Sequence, residues 1–135
     1  MNTRLRVYAV AAAVMLAFDL LWLGVLSPPL YQPTIGALLR PQPDLVAAVL
    51  FYAIYVTGVS EFVVLAAPWA ARPRTVAWRG ALFGCVAYAT FDLTALAMLK
   101  GWSALVTAVD MAWGTLLTAT VAAAAHRFGR GGTRG

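Results

Sequence analysis

The stretch that decides the fold is Gly80 to Ala97, GALFGCVAYATFDLTALA. It is apolar enough to lie in a bilayer, yet it holds a carboxylate, Asp92. Three more acids, Asp19, Glu61 and Asp110, sit within the other apolar runs. A charged side chain in hydrocarbon costs several kcal/mol, so each acid is expected to face the interior of a helical bundle.

Working outward, 62% of the 135 residues are hydrophobic and only 11% are charged. The mean hydropathy of +0.80 lies far from that of soluble domains. The charges fall between the apolar runs, which marks a polytopic membrane protein in contact with the lipid bilayer. The net charge is +5, but the ten Lys and Arg are scattered over short segments and form no continuous basic face. That placement excludes a nucleic-acid partner and fits topogenic signals. Cys85 is the single cysteine, which rules out an intramolecular disulfide or a Cys-based metal site. It reads as a packing residue, since no basic group at its depth would activate the thiol.

Four spans are predicted, at about 7–26, 45–67, 76–98 and 103–125. The first is long enough to cross the membrane and ends in Ser27-Pro28-Pro29 rather than a small-residue cleavage site, so it reads as a retained span. The proline-punctuated segment 27–44 reads as an ordered connector, with a helical turn or two within Thr34 to Arg40. Residues 126–135 read as a basic, glycine-rich tail. Eight arginines near the N-terminus, the middle loop and the C-terminus face only Arg40 and Lys100 on the other side, which predicts cytoplasmic termini. Trp69 and Trp78 then mark the inner interface, Tyr31 and Trp102 the outer one. The expected fold is an all-α, antiparallel bundle of four transmembrane helices, with room for a homodimer.

Depth follows from a rise of about 1.5 Å per residue. Asp19, Asp92 and Asp110 each lie about 9–10 Å inside the outer ends of their spans, so they share a plane. Glu61 lies deeper, roughly 24 Å from the outer end of its span. On the third span Gly80, Gly84, Tyr88 and Asp92 follow one another at i+4, and on the fourth Asp110, Gly114 and Thr118 do the same. Gly80 and Gly84 form a GxxxG pair that lets another backbone approach, with Gly114 as a counterpart. Asp19 and Asp110 are each followed by a tryptophan at i+3, Trp22 and Trp113. Phe51, Tyr52 and Tyr55 read as packing residues. Three acids this close cannot all stay ionised unless protons are shared, hydrogen-bond donors converge or a cation binds.

These residues point first to proton- or cation-coupled transport or permeation through Asp19, Asp92 and Asp110, with Glu61 as a second relay. The alternative is a non-catalytic membrane scaffold or assembly factor whose acids tie helices together. A membrane enzyme acting on lipid or quinone ranks last, because neither a nucleophile nor a cofactor site is evident. No cofactor and no metal are expected; hard-ion or proton chemistry suits lone carboxylates better than zinc does. His126, beside Arg127, reads as an interfacial residue. FDLLWLG at Phe18–Gly24 and FDLTALA at Phe91–Ala97 hint at a duplicated two-helix hairpin.

The stretches FDLLWLG, LYQPTIGALLRPQP, LFYAIYVTGVSEF, GALFGCVAYATFDLT and KGWSALVTAVDMAWGT together resemble the bacterial membrane-protein family called domain of unknown function 2177. The resemblance implies a small four-span protein of the bacterial inner membrane and supplies no activity. By its pattern the positions that matter are Asp19, Trp22, Gly24, Tyr31, Gly84, Tyr88, Asp92, Thr94, Trp102, Asp110, Trp113 and Gly114.

Overall fold

The structure, a computed structural model, describes residues 1–131 and contains helices but no strands among them. Four helices are long and apolar enough to cross a membrane: α1 (Thr3–Leu26), α3 (Leu45–Leu65), α4 (Pro73–Met98) and α5 (Ala104–Gly129). A short helix, α2 (Pro28–Ile35), joins α1 to α3 through a single 3₁₀ turn, Gly36–Leu38.

The helix starts are written locally. Asn2 accepts from Leu5 N–H at 2.8 Å, Asp44 from Ala47 N–H at 3.1 Å and Ser103 from Val106 N–H at 3.2 Å, each satisfying an amide the helix itself cannot. Pro73 opens α4, where its missing N–H costs nothing. Between α4 and α5 the turn needs Gly101 at φ +81°, a left-handed conformation that a side chain would strain. Because Asn2 caps α1, that helix begins at Thr3, four residues before the expected start at Val7, and carries Arg4 and Arg6 on its first turns.

Two expectations need correcting. Segment 27–44 is not mainly a connector: α2 starts at Pro28 because two prolines suit a first helical turn, and it ends where the sequence pattern placed the first helical turns. The tail does not begin at His126 either. The last helix runs to Gly129 through a π-helical turn, and Arg130 is folded against α3, giving its guanidinium to the carbonyls of Val64 (2.8 Å) and Ala67 (2.7 Å). Val64 lies in the last turn of a π-helical stretch, Val59–Leu65, with Ala67 just past its end, and Arg130 also lies 4.0 Å over the Trp69 ring. Residues 132–135 of the expected tail lie outside the described residues.

The most extensive interface joins α4 and α5. Gly80 sits against Ala122, Gly84 against Gly114 and Thr118, and Tyr88 against Gly114, so residue numbers rise along one helix as they fall along the other. A Cβ on Gly84 would stand 2.4 Å from the Gly114 carbonyl, so this approach requires glycine. At the other end of α5, Gly129 packs against the backbone of Val7 on α1. The main apolar core, with Val7, Met15, Val59, Val64, Val76 and Val121 shielded completely or nearly so, fills the half of the bundle near the chain termini. Outward-facing positions such as Leu20, Val46, Ile54, Phe62, Leu82 and Leu116 remain exposed, forming the apolar exterior that a lipid solvent requires.

Candidate functional site

The opposite half of the bundle holds a cavity of about 400 Å³ lined from α1, α2, α3, α4 and α5. Its wall contains two acids, Asp19 and Asp110, among aromatic side chains. Asp19 is held by a phenol and an indole, Asp110 by a phenol. Tyr52 on α3 donates to Asp19 Oδ2 at 2.7 Å, and Trp113 Nε1 reaches Asp19 Oδ1 at 3.4 Å. Tyr31 on α2 donates to Asp110 Oδ1 at 2.7 Å. A buried tyrosine hydroxyl seeks a partner, and a carboxylate in hydrocarbon seeks donors, so each need meets the other. Burial, and then the Asp110 carboxylate, hold the Tyr31 phenol well above its usual range, so it remains a donor at any physiological pH.

The two tryptophans that follow the acids at i+3 meet across the helices. Trp22 and Trp113 stack with centroids 4.5 Å apart and an interplanar angle of 10°, and Tyr31 packs edge-on to Trp22 at 5.9 Å. Trp22 opens a π-helical turn, Trp22–Leu26, that widens α1 where it borders the cavity. Tyr55, deeper in the bundle, hydrogen-bonds Thr118 Oγ1 at 2.8 Å and packs edge-on against Tyr88.

Asp92 is different. It is wholly shielded (0% exposed) in the seam between α4 and α5, and neither oxygen receives an N–H or O–H donor among the described residues. The Asp110 carboxyl is its acidic neighbour. Two carboxylates offer no donor to each other, so that contact becomes a hydrogen bond only when one of them carries a proton.

The structure thus gathers Asp19, Asp92, Asp110, Trp22, Tyr88 and Trp113 at one end of the bundle, with Asp92 joined to the cavity wall through Asp110. Glu61 is elsewhere. It accepts from Arg4 Nη2 at 2.6 Å and from Tyr8 at 2.7 Å, near the start of α1. Glu61, expected as a second relay, thus stands apart from the other acids with a basic partner, since the extra helical turn at the start of α1 brings Arg4 to it. Thr94 lies on the exterior of α4 with its hydroxyl bonded to the Thr90 carbonyl, away from the cavity. Gly24 has open space around it. Trp102 donates to Thr107 Oγ1 at 3.0 Å and packs edge-on to Phe91.

Two residues were not legible as site residues. Tyr52 and Tyr55 read as packing, whereas both bind polar groups inside the bundle; Tyr31, read as an interfacial anchor and marked by the family pattern, binds one too. One available signal was the i+3 spacing of Tyr52 and Tyr55, two phenols within one apolar span. Among the described residues no group of three or more His, Cys, Asp or Glu side chains is arranged to hold a metal ion.

Neither the curated proteins nor the solved structures contain a match to this chain. A family model does match, and it spans residues 4–127, covering every residue that lines the cavity. The chain belongs to DUF2177, a family of predicted membrane proteins.

Proposed function

We propose that the protein is a small transport or permeation protein in which Asp92 and Asp110, with Asp19 across the cavity, accept and release a proton or a cation. One observation carries this proposal: Asp92 is a completely shielded acid with no N–H or O–H donor among the described residues and with a second acid, Asp110, as its neighbour. An acid placed so is a poor structural strut, since an ionised carboxylate there has no counter-charge and a merely structural group would have been matched with donors. Arginines at both termini and in the 66–79 segment support an orientation with the termini in the cytoplasm of a bacterial inner membrane.

The test is flux. Purified protein in vesicles loaded with a pH-sensitive dye should dissipate an imposed proton or cation gradient, and Asp92→Asn should slow this by about tenfold or more, the cost of losing an intramembrane ionisable group that the path uses. Flux no faster than in protein-free vesicles, or unchanged by Asp92→Asn, would remove the proposal.

A second function, helix-tying by the acids, is favoured at Asp19, where Tyr52 and Trp113 from two other helices converge on one carboxyl. It predicts that Asp19→Asn lowers stability more than flux.

A further inference from the structure

The chemistry of the cavity wall narrows what could occupy it. Eight of its thirteen lining residues are aromatic, two are aspartates and three are aliphatic, and none is basic. Of the four tyrosine hydroxyls on the wall, those of Tyr31 and Tyr52 donate to the acids and that of Tyr55 is paired with Thr118, so three of them are held in place by the protein itself. What the wall offers a ligand in greatest amount is ring surface.

A dehydrated hard cation such as Na⁺ or Ca²⁺ needs about six oxygen ligands at short range. Among the described residues no group of three or more acidic or ligating side chains converges on one point. A neutral apolar guest would fill the volume but leave Asp110 and the shielded Asp92 beside it without a counter-charge. An alkylated ammonium satisfies both requirements. It presents diffuse charge to aromatic faces, Trp best of all, and needs no directional oxygen ligands. The cavity of about 400 Å³ holds such a head together with a small aromatic or alkyl body.

We propose that this cavity is a binding site for a lipophilic organic cation of the alkylated-ammonium class, with Trp22 and Trp113 supplying ring contact and Asp110, backed by Asp92, the counter-charge. This inference rests on the proposed role of the carboxylates and names its ligand. The absence of any basic group on the wall gives a cation no competitor for the acids.

The test uses the full chain in detergent micelles and reads intrinsic tryptophan fluorescence, because the stacked Trp22–Trp113 pair borders the site. Benzyltrimethylammonium is titrated against neopentylbenzene, which has the same shape with carbon in place of the charged nitrogen. The expected result is a saturable change with the cation and binding of the neutral isostere at least about tenfold weaker, the loss of one charge-assisted contact. That comparison requires no variant. Asp110→Asn and Trp22→Phe should each weaken the cation about three- to tenfold, while Thr94→Val leaves it unchanged. Equal affinity for the neutral isostere, or no saturable signal, would overturn the assignment. If vesicle flux depends on Asp92 while benzyltrimethylammonium fails to bind, the ligand class is wrong and the carboxylate role stands. If the cation binds with its charge preference but flux is absent, the site stands and translocation falls. Failure of both removes both.

Discussion

The two halves of the bundle solve opposite problems with the same four helices. Near the chain termini, valines, small residues and glycines bring backbones together: Val7 meets Gly129, Gly80 meets Ala122, and Arg130 closes the end of α3. At the other end, large rings hold the helices apart around a cavity whose acids take their hydrogen bonds from three different helices. Lipid tails are as apolar as leucine, so helix association depends on close packing and on interhelical hydrogen bonds rather than on escape from water. The packed half supplies the first and the cavity half uses the second. Stability and binding are thereby placed apart, and substitutions in the two halves should separate them.

The largest effect is expected where the packed seam tolerates no side chain. Gly84→Leu would drive atoms into the Gly114 carbonyl and Thr118, and should destabilise the protein by about 3 kcal/mol or prevent folding. Chemical unfolding in mixed micelles measures this; a near-neutral result would break the claim that the glycine seam holds the bundle. Arg130→Met comes next. It leaves the carbonyls of Val64 and Ala67 without their charged donor, at a cost of about 2 kcal/mol, and should leave ligand binding in the cavity unaltered. A change in cavity binding would show that the two halves are coupled.

Gly114→Ala probes the boundary. Its Cβ would fall 2.2 Å from the ring of Tyr88, which lines the cavity, so a loss of about 1–2 kcal/mol should accompany weaker cavity binding. Tyr52→Phe removes one of the donors to Asp19 and should cost about 1 kcal/mol, read from the same unfolding curves. The smallest effect belongs to the Arg4–Glu61 pair, whose side chains are 65% and 27% exposed. Arg4→Ala should change stability by less than about 1 kcal/mol, and less still at high salt.

How much of this was legible depends on the range of the interaction. The stripes Gly80, Gly84, Tyr88 and Asp92, and Asp110, Gly114 and Thr118, are properties of one helix at a time, and helical geometry alone puts each on a single face. That these faces meet, with Asp92 opposite Asp110, follows from the register of α4 against α5. The donors were harder. Tyr52 reaches Asp19 across 33 residues, and nothing in its neighbours along the chain distinguishes a site phenol from a packing one; Tyr31 reaches Asp110 across 79, and the family pattern that marks it does not name that partner. Thr94 shows the converse: it follows Asp92 so closely that it reads as its companion, but two residues along a helix turn it to the exterior. Arg4 and Arg130 were misplaced for one shared reason. Both helices extend past their apolar runs, since a helix ends where its capping and hydrogen bonding end and not where hydropathy does.

The sequence by itself determined the class of protein, the four spans and the presence of acids within them, because hydropathy and helical period are local quantities that a bilayer reads directly. Only the tertiary structure decided which acid stands without a donor, which tyrosines serve the others, and that Glu61 belongs to Arg4 instead of to the cluster. Those outcomes depend on distances between helices, and such distances are fixed by where small residues let backbones touch and where large rings hold them apart.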